Sequence, residues 1–218
     1  MVHSKRLAVL LAMVLSVAGA AVGQMMEQAP RIPGLFKPVL GAGAQYEITP
    51  KKGAKSQWAY VVVGKETVQD AEGHWLETRR EGGRAGFIMK TLVLMREGKP
   101  QLKRMIMQTA GQPPMEMPME GMMGGMMKKA QDSELGETSL GEKVGTESVT
   151  VPAGTYLCDH YRRQVGKNPV DVWISTKVSP YGLVKMSSED MTIELAKMLE
   201  SEKSQIKGEP QKLEFPKF

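Results

Sequence analysis

Phe87-Ile88-Met89-Lys90-Thr91-Leu92-Val93-Leu94-Met95 is the stretch on which the fold turns. An extended backbone sends successive side chains to opposite sides, so Phe87, Met89, Val93 and Met95 oppose Ile88, Leu92 and Leu94. Both sides are apolar. A sheet with one face in water needs apolar residues on one side only. This strand must therefore be covered twice, by a helix, a second sheet or a ligand held in the hollow of a curved sheet.

Reading outward, runs rich in Val, Ile, Tyr, Trp and Thr recur between short polar breaks, the signature of an antiparallel sheet. Strands are expected near 44–49, 57–65, 73–80, 86–96 and 101–109, joined by hairpin-length connections such as Asp70-Ala71-Glu72-Gly73 and Glu97-Gly98-Lys99-Pro100. A second group is expected near 146–151, 155–165, 170–176, 182–188 and 191–199. Val151-Pro152-Ala153-Gly154-Thr155 joins its first two members by a tight turn, in which Pro presets φ and Gly takes the position other residues resist. Residues 191–200 fit a helix through Met191, Leu195 and Met198, or a strand through Met191, Ile193 and Leu195. The β-branched pair Thr192-Ile193 favours the strand.

Three segments break the pattern. Residues 24–43, with Pro30, Pro33 and Pro38, form an irregular leader with room for a short helix around Leu35 to Leu40. Residues 110–145 are an insert of a length that small β domains reserve for functional or unstructured loops. Residues 201–218, with Pro210 and Pro216, form an extended tail. The expected architecture is mainly β: one domain over 44–200, a single curved antiparallel sheet or half-barrel with a long methionine-rich insert and little helix.

Lys5 and Arg6 precede sixteen nearly uninterrupted apolar residues from Leu7 to Val22, ending in Ala21-Val22-Gly23. That is signal-peptide architecture over 1–23, shorter than the roughly 20 residues that span a bilayer. It places the protein in the periplasm or outside the cell. Removing it takes two of 29 basic groups and none of 24 acidic ones, leaving 27 minus 24, or +3. Scattered rather than clustered, these charges argue against nucleic-acid binding. Cys158 is the single cysteine, so no internal disulfide forms, and its strand context predicts a buried small hydrophobe rather than a nucleophile.

Thr150-Val151-Pro152-Ala153-Gly154-Thr155-Tyr156, followed by Val172-Trp173-Ile174-Ser175 and Tyr181-Gly182-Leu183-Val184-Lys185, resembles a pattern in exported bacterial proteins that look like relatives of the lipoprotein-carrier (Lol-type) half-barrels. The resemblance covers residues 146–186 and implies a strongly curved sheet that wraps around helices and offers an apolar cavity to acyl chains. Its motifs are turn and strand residues, which speak for fold rather than chemistry.

Seven of the thirteen residues from Met115 to Met127 are methionine: Met115, Met117, Met119, Met122, Met123, Met126 and Met127. Alternation with Glu116 and Pro118 puts the first three on one side of an extended backbone, about 7 Å apart. Thioethers are soft and pliable, so the segment reads either as a Cu(I) site or as an adaptable apolar lid. Lys128 and Lys129 directly after it would also permit transient contact with an anionic membrane.

His74 and His160 are the histidines that remain after cleavage. His160 shares a strand face with Tyr156, Cys158 and Arg162, from which its imidazole could join a copper site if the insert folded back. Asp159 and Asp171 could pair across strands, with Arg79, Arg80, Arg162 and Arg163 the better partners for such acids. No phosphate loop, metalloprotease pair or serine elbow is present, so no enzyme activity is expected. The leading expectation is a monomeric, non-catalytic carrier, with no cofactor, for a lipid, acyl chain or lipidated protein. Its ligand would sit in a sheet hollow lined by Trp58, Trp75, Phe87, Met89 and Trp173. The alternative is a periplasmic copper-binding protein that uses segment 115–127.

Overall fold

The computed structural model describes residues 32–68, 70–81, 87–97, 99–117 and 140–212. The predicted signal peptide, the first part of the leader, most of the insert and the end of the tail lie outside the described residues. By its contacts the chain divides into Met1–Ile32 and Pro33–Phe218, and the following concerns the second unit.

Among the described residues there are strands and no helix. The strands are β1 (Gly43–Pro50), β2 (Ser56–Val68), β3 (Ala71–Glu81), β4 (Phe87–Arg96), β5 (Lys99–Thr109), β6 (Met115–Met117), β7 (Glu142–Val151), β8 (Gly154–Val165), β9 (Asn168–Ile174), β10 (Leu183–Ser187), β11 (Met191–Leu199) and β12 (Gln211–Lys212). They build one open sheet in the order β12-β6-β5-β4-β3-β2-β1-β11-β10-β9-β8-β7. Every pairing is antiparallel except β12 on β6. Each of the ten expected strands is present, and 191–199 is a strand. The expected helix at 35–40 is absent: the leader there spends its amides on a loop, with Leu35 N–H donating to Tyr181 O (2.9 Å) and Lys37 N–H to Pro180 O (2.8 Å). The insert also contributes two pieces of strand that its polarity and prolines concealed, β6 and the first residues of β7.

The sheet curls. Ala153, in the turn between β7 and β8, donates its N–H to Leu195 O of β11 at 3.1 Å. In a flat sheet these strands, three to four apart in the order, would stand roughly 14–19 Å from each other. Register shifts at Gln45/Tyr46, Val62/Gly64 and Leu92/Val93 add the local twist that bulges supply. In that β7–β8 turn Val151 pairs with Gly154, whose φ of 128° is the conformation for which the sequence reserves glycine.

Cross-strand register assigns the faces. Ala44, Tyr46 and Ile48 of β1 pair with Met198, Leu195 and Ile193 on one side and with Tyr60, Trp58 and Ser56 on the other. This tyrosine face continues through Val62, Leu76 and Thr78 to Phe87, Met89 and Val93. The opposite face carries Ala59, Val61, Trp75, Glu77, Arg79, Leu92 and Leu94.

Each face has its own cover in the middle of the sheet. On the tyrosine face Tyr46, Tyr60, Tyr181 and Phe36 form a chain of ring contacts at 5.8–5.9 Å between centroids, and the Tyr46 hydroxyl donates to Leu183 O at 3.0 Å. Tyr181 comes from the 175–182 loop and Phe36 from the leader. A Cβ on Gly34 would stand 2.1 Å from Tyr181 O, so only glycine lets the leader lie this close. On the opposite face the tail from Ser201 onward runs as a strap across the sheet. Ile206 packs on the cluster Trp75, Leu92, Leu94 and Ile106. Lys207 exchanges two hydrogen bonds with the Gln108 amide, both 2.9 Å. Gln211 N–H donates to Pro114 O, and the last described residues of the tail form β12 beside Met115 and Glu116. The second apolar side of β4 is thus covered by the chain's own C-terminal segment, an option additional to helix, second sheet or ligand.

Beneath the strap lie two charged residues that the sequence pattern does not single out as buried. Glu77 is fully buried and Arg79 is 4% exposed. Glu77 accepts from the Ser204 hydroxyl (2.6 Å) and the Gln205 N–H (3.0 Å). Arg79 reaches Glu202 at 2.9 Å and Glu77 at 3.8 Å, while its Nε and Nη1 find no hydrogen-bond partner. Buried charges in this arrangement contribute little net stability but make removal of either partner costly, so they fix where the strap lies.

Candidate functional site

The register of β4, β5 and β6 brings methionines together at one end of the tyrosine face. Met89 pairs with Met107, and Met107 with Met115; in the next row Thr91 pairs with Met105, and Met105 with Met117. Directly opposed side chains in antiparallel strands have Cβ atoms about 4.5–5.5 Å apart, so five thioethers occupy one contiguous patch. Phe87 lies on the same face, one strand position pair from Met89. Met105 is 2% exposed, Met117 7% and Met107 8%, whereas Met115 at 36% reaches solvent.

A charged lattice on the other face holds this end in place. Arg104 forms a fork with Glu116, Nε to Oε1 at 2.6 Å and Nη2 to Oε2 at 3.1 Å, and reaches Glu66 at 2.9 Å. Glu66 in turn accepts from the Trp75 indole N–H at 3.0 Å, and Lys90 stands 4.7 Å over the Trp75 ring. The Arg104 hydrogen bond holds the Glu116 carboxyl below the usual range. With Glu116 anchored on that face, alternation leaves Met115 and Met117 on the thioether side.

The five residues expected to line one cavity are divided between the faces. Trp58, Phe87 and Met89 share the tyrosine face, with Trp58 in the filled middle and Phe87 and Met89 at the methionine end. Trp75 is on the strap face. Trp173, in the second half of the sheet, stacks on His160 at 4.5 Å and donates its N–H to Glu147 at 2.6 Å. Of the expected metal-binding set, Met115 and Met117 join the patch; Met119, Met122, Met123, Met126 and Met127 lie outside the described residues. Sequence reading missed Met105 and Met107, and set Met89 with Trp58, Trp75, Phe87 and Trp173 rather than among methionines. Their alternation at 105 and 107 was a visible signal, but only strand register joins it to 115 and 117.

His160 belongs to a different constellation, at the other end of the sheet. Its Nε2 is 2.7 Å from Asp171 and its Nδ1 is 3.2 Å from Glu147; Arg162 Nε donates to Asp171 at 2.8 Å. Asp171 is held below the usual range by the hydrogen bonds from Arg162 and His160, against the opposing effect of burial. Asp159 pairs with Lys143 at 2.8 Å, not with Asp171. Cys158 is fully buried, and burial pushes its thiol up to about 11. His74, beneath Phe36, is lowered by burial.

Over the described residues these features define an all-β protein with one open, curled sheet, filled in its middle and methionine-lined at one end. No family model matches the chain, and no curated protein sequence does. Among solved structures it is similar to a protein inferred to be exported, of YmcC-like fold, from Bacteroides fragilis: TM-score 0.41 at 11% identity, covering 77% of this chain and 99% of that one. It is also similar to a protein inferred to be a lipoprotein from Parabacteroides distasonis, with TM-score 0.38 at 13% identity, covering 78% and 100%. Neither is named as a lipoprotein carrier, and likeness at this level carries no argument about the chemistry of the site.

Proposed function

We propose that the chain is an exported, non-catalytic binding protein of the periplasm or cell exterior that takes an acyl chain or lipidated segment at the methionine end of the tyrosine face. The observation that carries this reading is the register that places Phe87, Met89, Met105, Met107, Met115 and Met117 on one face without a charged member. Unbranched thioethers repack around guests of different shape, which suits a surface for flexible apolar chains. The central aromatic stack leaves the middle of that face to the protein itself, so the binding region is moved from the hollow toward the β4–β6 end. The apolar N-terminal stretch supports export. The absence of catalysis is supported by the engagement of the reactive side chains: the thiol of Cys158 is buried, and His160 is tied at both nitrogens.

The test is titration of a fluorescent fatty acid into the full chain and into Met115→Glu, which puts a charge at the partly exposed rim without burying it. The expected result is affinity lowered about tenfold, the effect of roughly 1.4 kcal/mol, at an unchanged melting temperature, with Trp173→Ala binding as the original does. Equal binding by Met115→Glu would remove this surface as the site.

A further inference from the structure

We propose that Met105, Met107, Met115 and Met117, with Met89 behind Met107, form a thioether site for a soft monovalent cation, Cu(I) or its redox-inert analogue Ag(I). The inference shares a surface with the proposed apolar site but does not rest on it, because it depends on sulfur rather than on apolarity.

Four observations carry it. The pairs Met107–Met115 and Met105–Met117 are direct cross-strand neighbours on adjacent positions of the same face. Each side chain has enough rotatable bonds for its sulfur to turn toward a point between the rows, giving the three or four soft donors such an ion accepts. The hard donor nearby, Glu116, is turned to the opposite face and engaged by Arg104. The donors at this end are thioethers, which favour soft ions over Zn²⁺ or Ca²⁺, and among the described residues no group of three or more His, Cys, Asp or Glu is placed to hold a metal. Finally, Met115 is 36% exposed while its three companions are buried. An ion can therefore arrive from solvent at Met115 and keep part of its charge hydrated there, while the inner sulfurs exclude competing water. Neutral thioethers need no deprotonation, so uptake should persist in mild acid where imidazole and thiolate sites fail.

The sequence-level alternative put the metal in the run from Met115 to Met127; the register instead joins Met115 and Met117 to strand residues upstream. The experiment separates these. Ag(I), and Cu(I) under reducing conditions against a competing chelator, are titrated into the full chain, into a strand variant carrying Met105→Leu, Met107→Leu, Met115→Leu and Met117→Leu, and into an insert variant carrying Met119→Leu, Met122→Leu, Met123→Leu, Met126→Leu and Met127→Leu. The expected result is that the strand variant loses the tightest equivalent, while the insert variant keeps it. Retention by the strand variant, or loss in the insert variant alone, overturns the proposal. Because several buried substitutions can disturb folding, the methionine methyl resonances of the unaltered chain provide a second readout: those of Met105, Met107, Met115 and Met117 should shift with the first equivalent of Ag(I). Unmoved resonances overturn the proposal whatever the variants do. Leucine preserves apolarity, so fatty-acid binding measured on the strand variant tells failure of the metal site apart from failure of the apolar one.

Discussion

The two arms of the sheet solve opposite problems. In the arm from β2 to β5 both faces are apolar, and the chain supplies a cover for the second one, the strap from Ser201 to Lys212, sealed over Glu77 and Arg79. In the arm from β7 to β9 the edge strand β7 is exposed along nearly its whole length. Its neighbours are held by surface ion pairs, Lys143–Asp159, Arg162–Asp171 and the two carboxylates around His160. The difference teaches where stability resides. Exposed pairs contribute about 0–1 kcal/mol each, whereas buried apolar area and a covered charge pair make single changes expensive.

The largest expected effect comes from breaking the strapped arm. Ending the chain after Glu200 removes the hydrogen bonds to Glu77, Arg79 and Gln108 and the packing of Ile206, and should cost about 4 kcal/mol in urea unfolding. It should also expose Trp75, Leu92 and Leu94 to a hydrophobic dye. A truncated chain that unfolds at the original urea midpoint would show that the strap is ornament.

A smaller loss sharpens the contrast between buried and exposed acids. Glu77→Ala, which leaves Arg79 under the strap without its neighbour, should cost about 3 kcal/mol. Glu147→Ala in the exposed arm, which loses the Trp173 and His160 contacts in solvent, should cost under about 1 kcal/mol. Equal costs by chemical denaturation would erase the distinction between the arms.

The smallest effect is a pH dependence. His74 has a folded-state pKa below its ordinary value because burial disfavours the imidazolium. The unfolded chain therefore binds more protons, and stability is lost as pH falls through the ordinary histidine range toward the folded value. His74→Gln should flatten the fall in melting temperature between neutral pH and mild acid. An unchanged slope would assign that fall to groups other than His74, in this arm or the other. The carboxylates there, Asp171 and Asp159, contribute stability that is lost only at more acidic pH, as pH drops through their lowered pKa values.

How far these features were legible varies by residue. The strands were legible because alternation of apolar residues is a local property, and so was the turn at Pro152-Ala153-Gly154. The burial of Cys158 followed from its neighbours on a strand. The double apolarity of Phe87 to Met95 announced that two covers were needed. It could not say that one was the tail, because residues 201–212 are polar and proline-bearing and lie more than a hundred positions away along the chain. Nor could it say that Trp75 and Trp173 stand on the face opposite Trp58, since the register between neighbouring strands and the pairing order decide that.

The sequence by itself determined secondary structure and the need for cover, both set by side-chain period and composition over a few residues. Tertiary structure alone decided which distant segments supply that cover and which methionines meet. Pairing register is a long-range choice: it selected Met89, Met105, Met107, Met115 and Met117 out of eighteen methionines by bringing three strands into line at one edge of a curled sheet.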